Sequence, residues 1–345
     1  MSRTIDVGVV GVGHLGRIHA KIYSEDPNAE LVAVVDTDGE RAAEVAREFG
    51  CEALSDPAEL PERVAAVSVV VPTRFHAAAA VPLLERGVPC LVEKPLAANL
   101  ADADAILDAA ERGGALLSVG HVERFQPGVR KVREMGVKPR FIECHRLAPF
   151  SFRSMDVGVV HDLMIHDLDL ILHLVGSEVE SVDCAGGAVL TDHEDVASVR
   201  IVFASGARAN VSASRASLEP MRRFRMFSSE GYVSLDFQKN YGIHIAKGPE
   251  WESGREALKT ANPMVMAMQK DWITERVLSV TELPLEGEQR PLQAELAHFI
   301  ECVRTGAAPE VTGADGRRAL ELLAAWDGTL AAGARRYACR APSYT

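Results

Sequence analysis

Asp162 and His166 stand four residues apart in Val159-Val160-His161-Asp162-Leu163-Met164-Ile165-His166-Asp167-Leu168. On a helix they share one face. Leu, Ile, Met and Val surround them on most sides, so the helix is expected to be largely buried. Ionisable groups in such a helix need partners or a function. A carboxylate beside an imidazole raises the ring's basicity and orients it, which makes a competent general base. A satisfied buried pair with a structural role alone is the competing reading. A metal site of the HExxH type requires two His at i and i+4. His161 and His166 are five apart, and at ~100° per residue they project about 140° from each other. No metal is therefore expected. Asp169 and His173 continue the stripe and read as structural.

A second feature points to an anion. Gly11-Val12-Gly13-His14-Leu15-Gly16 is GxGxxG directly after a strand-like run and opening a helix. The first glycine allows the tight turn, the second lets the backbone approach a pyrophosphate, and the third lets helix and strand pack closely. The freed N–H groups and the helix dipole favour the anion. The next strand-like run ends at Asp36, twenty positions after Gly16. Its carboxylate suits the adenosine ribose hydroxyls and repels a 2′-phosphate, with Asp38 adding to the repulsion. The expected cofactor is NAD rather than NADP. Lys94, in Glu93-Lys94-Pro95, follows the short apolar run 90–92. Ligands of open parallel sheets sit at the carboxyl ends of strands, which places Lys94 at the cofactor crevice.

These groups need a frame to hold them. With 345 residues, and roughly 150 per domain, two domains are expected. The chain has 37 Lys+Arg against 49 Asp+Glu, a net charge of −12. That excludes a basic footprint over the whole chain and argues against nucleic acid as the main partner. A hydrophobic share of 47% with 25% charged residues excludes wholesale disorder. Cys51, Cys90, Cys144, Cys184, Cys302 and Cys339 form no CxxC pair. They read as reduced thiols of a cytoplasmic protein. No apolar run approaches the ~18 residues of a membrane span. Asp6, the glycines, His14 and Arg17 interrupt the apolar stretch after Arg3, so no secretory signal is expected.

The first third alternates short apolar runs (5–10, 31–35, 65–71, 90–92, 116–119) with helix-like runs (15–24, 39–49, 75–85, 100–111). Such alternation predicts a parallel sheet with crossover helices. The period changes after about residue 120. Helices are expected over 122–135 and 157–175, then alternating strands at 140–147, 196–203, 207–213, 224–228, 232–237 and 241–246. This pattern implies an antiparallel sheet with one face covered. Residues 248–270 show no clear period and read as a mobile loop. Helices follow at 291–303 and 317–332. The domains are expected at 1–121 and 122–345.

Taken in this order and spacing, GVGHLG at 11–16, VVDTD at 34–38, VPTRFH at 71–76, VEKPLA at 92–97 and HDLDLILHLVG at 166–176 resemble the Gfo/Idh/MocA oxidoreductases. The resemblance covers nearly the whole chain. It implies an α/β protein with an N-terminal Rossmann domain, a doubly wound parallel sheet. It also implies a C-terminal α+β domain with a large, mostly antiparallel sheet, through which such proteins form homodimers or homotetramers. It carries the family's Lys, Asp and base His onto Lys94, Asp162 and His166, with Asp162 orienting either His166 or Lys94. Thr73 and His76 match the loop near the cofactor, and Glu93 matches the residue at the nicotinamide ribose. His161 departs from the family's usual small or apolar residue, and either extends a substrate pocket or tunes Asp162. The stretches 120–127 and 153–160 resemble the branch that oxidises C3 of UDP-N-acetylglucosamine. Arg124 and Arg153 are candidates there for holding a diphosphate. The implied activity is NAD-dependent oxidation of a secondary alcohol on a sugar or nucleotide sugar. Oxidation of an inositol or free sugar, or dinucleotide sensing without turnover, are the alternatives.

Overall fold

The computed structural model describes residues 4–151 and 157–331. The chain opens with β1 (Ile5–Val10), the glycine loop and α1 (His14–Glu25). Then come β2 (Ala29–Val35), α2 (Gly39–Phe49), β3 (Glu52–Leu54), β4 (Ala66–Val69), α3 (His76–Glu85), β5 (Cys90–Glu93), α4 (Leu100–Gly113) and β6 (Leu117–Gly120). Helix boundaries follow local chemistry. Asp38 accepts the Arg41 N–H at the start of α2, and Gly50 closes that helix in the left-handed region. Asn99 and Gly114 do the same for α4.

The six strands pair in parallel in the order β3-β2-β1-β4-β5-β6. That is the dinucleotide-binding order, and its direction reverses between β1 and β4. β4, β5 and β6 are buried along their full length, as strands covered by helices on both faces must be.

The chain continues through α5 (Pro127–Glu134), β7 (Phe141–Leu147), α6 (Ile165–Val175), β8 (Val179–Gly187), β9 (Val196–Phe203), β10 (Arg208–Ser214), β11 (Met221–Phe227), β12 (Gly231–Asp236) and β13 (Tyr241–Lys247). It ends with α7 (Trp251–Lys259), α8 (Pro263–Met268), α9 (Lys270–Trp272), β14 (Leu278–Leu283), α10 (Pro291–Thr305) and α11 (Gly313–Ala331). The second sheet runs β14-β13-β12-β11-β7-β10-β9-β8. Every neighbouring pair is antiparallel except β7 with β10. In β9, Ala197, Val199, Ile201 and Phe203 are buried while Ser198 and Arg200 face outward. One face of this sheet is therefore apolar and the other polar.

The structure departs from the sequence reading in four places. Residues 248–270 are not a loop but carry α7 and α8. Asn262 caps α8 by accepting the Val265 N–H at 2.9 Å. Glu250 anchors the segment by accepting from Trp272 Nε1 at 2.7 Å and Arg276 Nε at 2.8 Å. Met264, Met266 and Met268 are exposed, so no apolar stripe marked these helices. The helix expected over 122–135 is interrupted. A 3-10 turn covers Val122–Phe125, and Gln126 is extended because Pro127 follows it. The helix expected from 157 begins with a π-helical turn, Val160–Met164. Finally, β3, β8 and β14 had no strand signal of their own.

Two compact units result. Among the described residues, one holds 4–125 together with Gln289–Ala325; the other holds those of 126–288 and 326–331. Where the sequence reading drew one boundary, the chain returns to the first unit because of α10. Leu296, Phe299 and Ile300 on that helix complete the cluster formed by Val7, Val9, Val12, Ala20, Tyr23 and Leu91.

Candidate active site

In the first unit, β1 ends where the sheet order reverses, and the glycine loop follows. Gly11 has φ +87°, and a Cβ there would lie 2.7 Å from Val70 O. A Cβ on Gly16 would lie 1.8 Å from Gly11 O. Neither position admits a side chain, and the loop's backbone stays bare for an anion. Gly13 is the N-cap of α1 and brings no side-chain cap, so the first-turn N–H groups are available. His14 and Leu15 are exposed at the start of α1.

Asp36 follows β2. Its Oδ2 accepts the Val12 N–H at 2.9 Å and its Oδ1 accepts the Asp38 N–H at 3.0 Å. A carboxylate has about four lone-pair sites, so capacity remains for two ribose hydroxyls. Asp38 is committed elsewhere: it caps α2 and pairs with Arg41 Nη2 at 2.7 Å. The Arg41 guanidinium stands 3.9 Å from Asp36 Oδ2. These residues fit a dinucleotide.

At the end of β5, Glu93 is buried. Burial opposes its ionisation, but the His19 ring and the Lys94 ammonium hold its carboxyl below the usual range. Lys94 is half-buried beside it, and the Lys94–Pro95 peptide is cis. His76 is buried. Its Nδ1 lies 2.9 Å from Pro95 O and its Nε2 2.9 Å from Val71 O. Burial lowers its pKa, against the pull of those carbonyls. His76 thus ties the loop after β4 to the turn after Lys94. Thr73 lies in the 3-10 turn Thr73–Phe75 of that same loop. Arg124 is buried in this unit. Its Nη1 donates to Glu310 O at 3.1 Å and stands 3.4 Å from Asp315 Oδ2. It anchors the start of α11, which leaves a diphosphate role without support.

In the second unit, the π turn carries His161 and Asp162 into α6, which carries His166. Ile165 N–H closes on Val160 O, an i→i+5 bond. The separation of His161 and His166 calculated for an α-helix therefore does not apply, since residues five apart approach one face in a π turn. π turns concentrate at functional sites. Asp162 and His166 are half-buried. Arg146, on β7, grips Asp167 with Nε and Nη2 at 2.7 Å each, a bidentate bond that fixes the turn next to His166. His161 Nε2 lies 3.5 Å from Asp327 Oδ2. That carboxylate raises the imidazole's pKa. Arg153 lies outside the described residues. Among the described residues, no group of three or more His, Cys, Asp or Glu could hold a metal ion.

Sequence reasoning missed the groups that hold this turn in place. Asp195 is fully buried and accepts from Val189 N, Leu190 N and Thr191 N at 2.7, 2.6 and 2.9 Å. Arg215 Nε stands 3.1 Å from it, and Arg215 Nη2 donates to Val157 O. Glu194 O accepts from Val159 N at 3.0 Å. Loop 188–195 thereby clasps the start of the segment bearing Asp162. One hint was visible in the chain, since Asp195 immediately precedes the strongly alternating β9.

Residues 5–121 match the oxidoreductase family with an NAD-binding Rossmann fold, and residues 138–234 match the GFO/IDH/MocA C-terminal domain. The chain is 44% identical over 239 residues to the UDP-N-acetylglucosamine 3-dehydrogenase of Acidithiobacillus ferrooxidans, covering 69% of this chain and 75% of that one. It is 30% identical over 345 residues to the scyllo-inositol 2-dehydrogenase (NAD(+)) of Bacillus subtilis, covering 93% of each. The solved structure of the Acidithiobacillus enzyme superposes with a TM-score of 0.83 at 34% identity, covering 96% of this chain and 99% of that one. The glycine loop with Asp36, the two sheets and these likenesses agree: the chain belongs to the GFO/IDH/MocA family of NAD-dependent oxidoreductases.

Proposed function

We propose that the protein oxidises the C3 hydroxyl of UDP-N-acetylglucosamine or a close relative. The observation that carries this reading is the 44% identity to a UDP-N-acetylglucosamine 3-dehydrogenase. Bound NAD supplies the hydride acceptor. The glycine loop and Asp36 hold its pyrophosphate and adenosine ribose. Thr73, Glu93 and Lys94 shape its nicotinamide end, and His76 fixes their loops. His166 takes the hydroxyl proton as general base. Lys94 stabilises charge developing on the oxygen. Asp162 orients one of these two groups. His161 lies 3.5 Å from Asp327, whose carboxylate favours the protonated ring, and it stands next to Asp162 as a candidate contact for the sugar.

The protein acts in the cytoplasm in this reading. Cys51, Cys90 and Cys302 are in no disulfide, and no described helix is long and apolar enough to cross a membrane. It assembles as a homodimer or homotetramer through the second sheet, whose outward strand positions offer an extended polar face.

Purified protein is incubated with NAD and UDP-N-acetylglucosamine, and NADH formation is followed with mass spectrometry of the sugar. A nucleotide sugar two hydrogens lighter supports the proposal. Turnover of inositols instead would replace the substrate. NAD binding with no turnover across polyols and nucleotide sugars would make the protein a dinucleotide sensor.

A further inference from the structure

The buried face of α1 consists of Gly16, His19, Ala20 and Tyr23. Two polar side chains on such a face need partners. Tyr23 finds one in Ser68, 2.7 Å away. His19 is completely buried, and its Nε2 lies 3.3 Å from Glu93 Oε1. Neither ring nitrogen has an aligned hydrogen-bond partner among the described residues, so the ring meets the carboxylate as a close polar contact.

The Glu93 carboxylate is confined from three elements. His19 reaches it from α1. Its own Oε2 accepts the Lys94 N–H at 3.1 Å. On β6 its register partner is Gly120, where a Cβ would lie 2.8 Å from Glu93 Cδ. Stability alone is a weak reason for this arrangement. Apolar residues of similar volume usually serve a buried site as well as or better than a polar pair. The pair lies at the carboxyl end of a parallel strand, one residue from Lys94, where such sheets carry their ligands.

We propose that His19 is a positioning residue: it fixes the Glu93 carboxylate, and through it the turn that presents the Lys94 ammonium. This rests on the role proposed above for Lys94. The connection runs from the helix that follows the phosphate loop to the group that faces the reacting oxygen. Glu93 carboxylate and Lys94 ammonium stabilise each other, and His19 opposes the burial that favours the neutral acid; losing His19 moves Glu93 toward protonation, and a neutral Glu93 supports the ammonium less.

The test uses competitive acetylation of the full-length protein, with each lysine quantified by peptide mass spectrometry. Lys131 and Lys259 serve as controls. In His19→Leu, Lys94 is expected to react about threefold faster or more relative to the controls, because its charged form has lost support. In His19→Gln, whose amide keeps a polar group facing the carboxylate, the rate returns toward wild type. With UDP-N-acetylglucosamine, His19→Leu is expected to lose about tenfold in kcat with KM little changed, as a misplaced group does. Glu93→Gln provides a second route to the same acceleration should the leucine variant not fold. Unchanged Lys94 labelling in both His19→Leu and Glu93→Gln overturns the proposal. So does equal disturbance by His19→Leu and His19→Gln. A wild type inert toward the nucleotide sugar, with the labelling pattern as expected, removes the substrate reading and supports the positioning role.

Discussion

The roles proposed for His166 and Asp36 separate chemistry from binding. The cofactor groups belong to the first unit and His166 to the second, so His166→Ala is expected to cost about tenfold or more in kcat while the NAD dissociation constant stays near wild type. Stopped-flow turnover with parallel fluorescence titration checks both; wild-type turnover would remove the base role. Asp36 predicts cofactor choice. Its carboxylate is held by Val12 and Asp38 N–H groups and meets a 2′-phosphate with repulsion, so NADH should bind more tightly than NADPH. Asp36→Ala should narrow that gap, with NADPH gaining. Equal affinities of the wild type for both would refute the assignment.

At the scale of elements, the clasp formed by loop 188–195 determines where the π turn begins. Burial opposes the ionisation of Asp195, but the Leu190, Val189 and Thr191 N–H groups and the Thr191 hydroxyl pull its pKa from 3.8 down to about 2. A carboxyl depressed in the folded state contributes stability that is complete above its unfolded pKa. That contribution is lost as pH falls through the folded value. The window is therefore about pH 4 to 2, and the contribution is about 2 kcal/mol. Asp195→Asn is expected to lower stability at neutral pH by that order and to flatten the acid limb of the denaturation profile relative to wild type. Parallel limbs in urea titrations at several pH values would disprove it. Much of this level could be read from the chain. The phosphate loop and the strands of the first sheet stood out because runs such as AAVSVVV admit few alternatives. The π turn did not, since an extra residue per turn leaves the same apolar residues around the helix. β8 and β14 lack alternation, and the helices near residue 260 expose their methionines. The His19–Glu93 contact joins residues too far apart in sequence for any periodicity to report, although a histidine among Gly16, Ala20 and Tyr23 was a visible anomaly.

The whole molecule carries a charge of −12, yet the proposed cofactor and substrate are anions. Their binding must rest on local devices, namely bare N–H groups, a helix start and single cations, rather than on the overall field. The first unit is also assembled from two stretches of chain, and this predicts where its stability lies. Phe299 is fully buried beside residues of β1 and α1. Phe299→Ala should cost about 3–5 kcal/mol and lower the melting temperature, with NAD raising it again by mass action. An unchanged melting temperature would show that α10 is dispensable to the first core.

That divided core bears on biosynthesis. As the chain leaves the ribosome, the parallel sheet emerges early, but the α10 side chains that cover β1 and α1 arrive only after the whole of Gln126–Glu288 has been made. During that interval an apolar surface lies open while a large, slow-pairing sheet is still being synthesised. The nascent chain should therefore engage holdase chaperones over this stretch, and release should coincide with the appearance of Phe299.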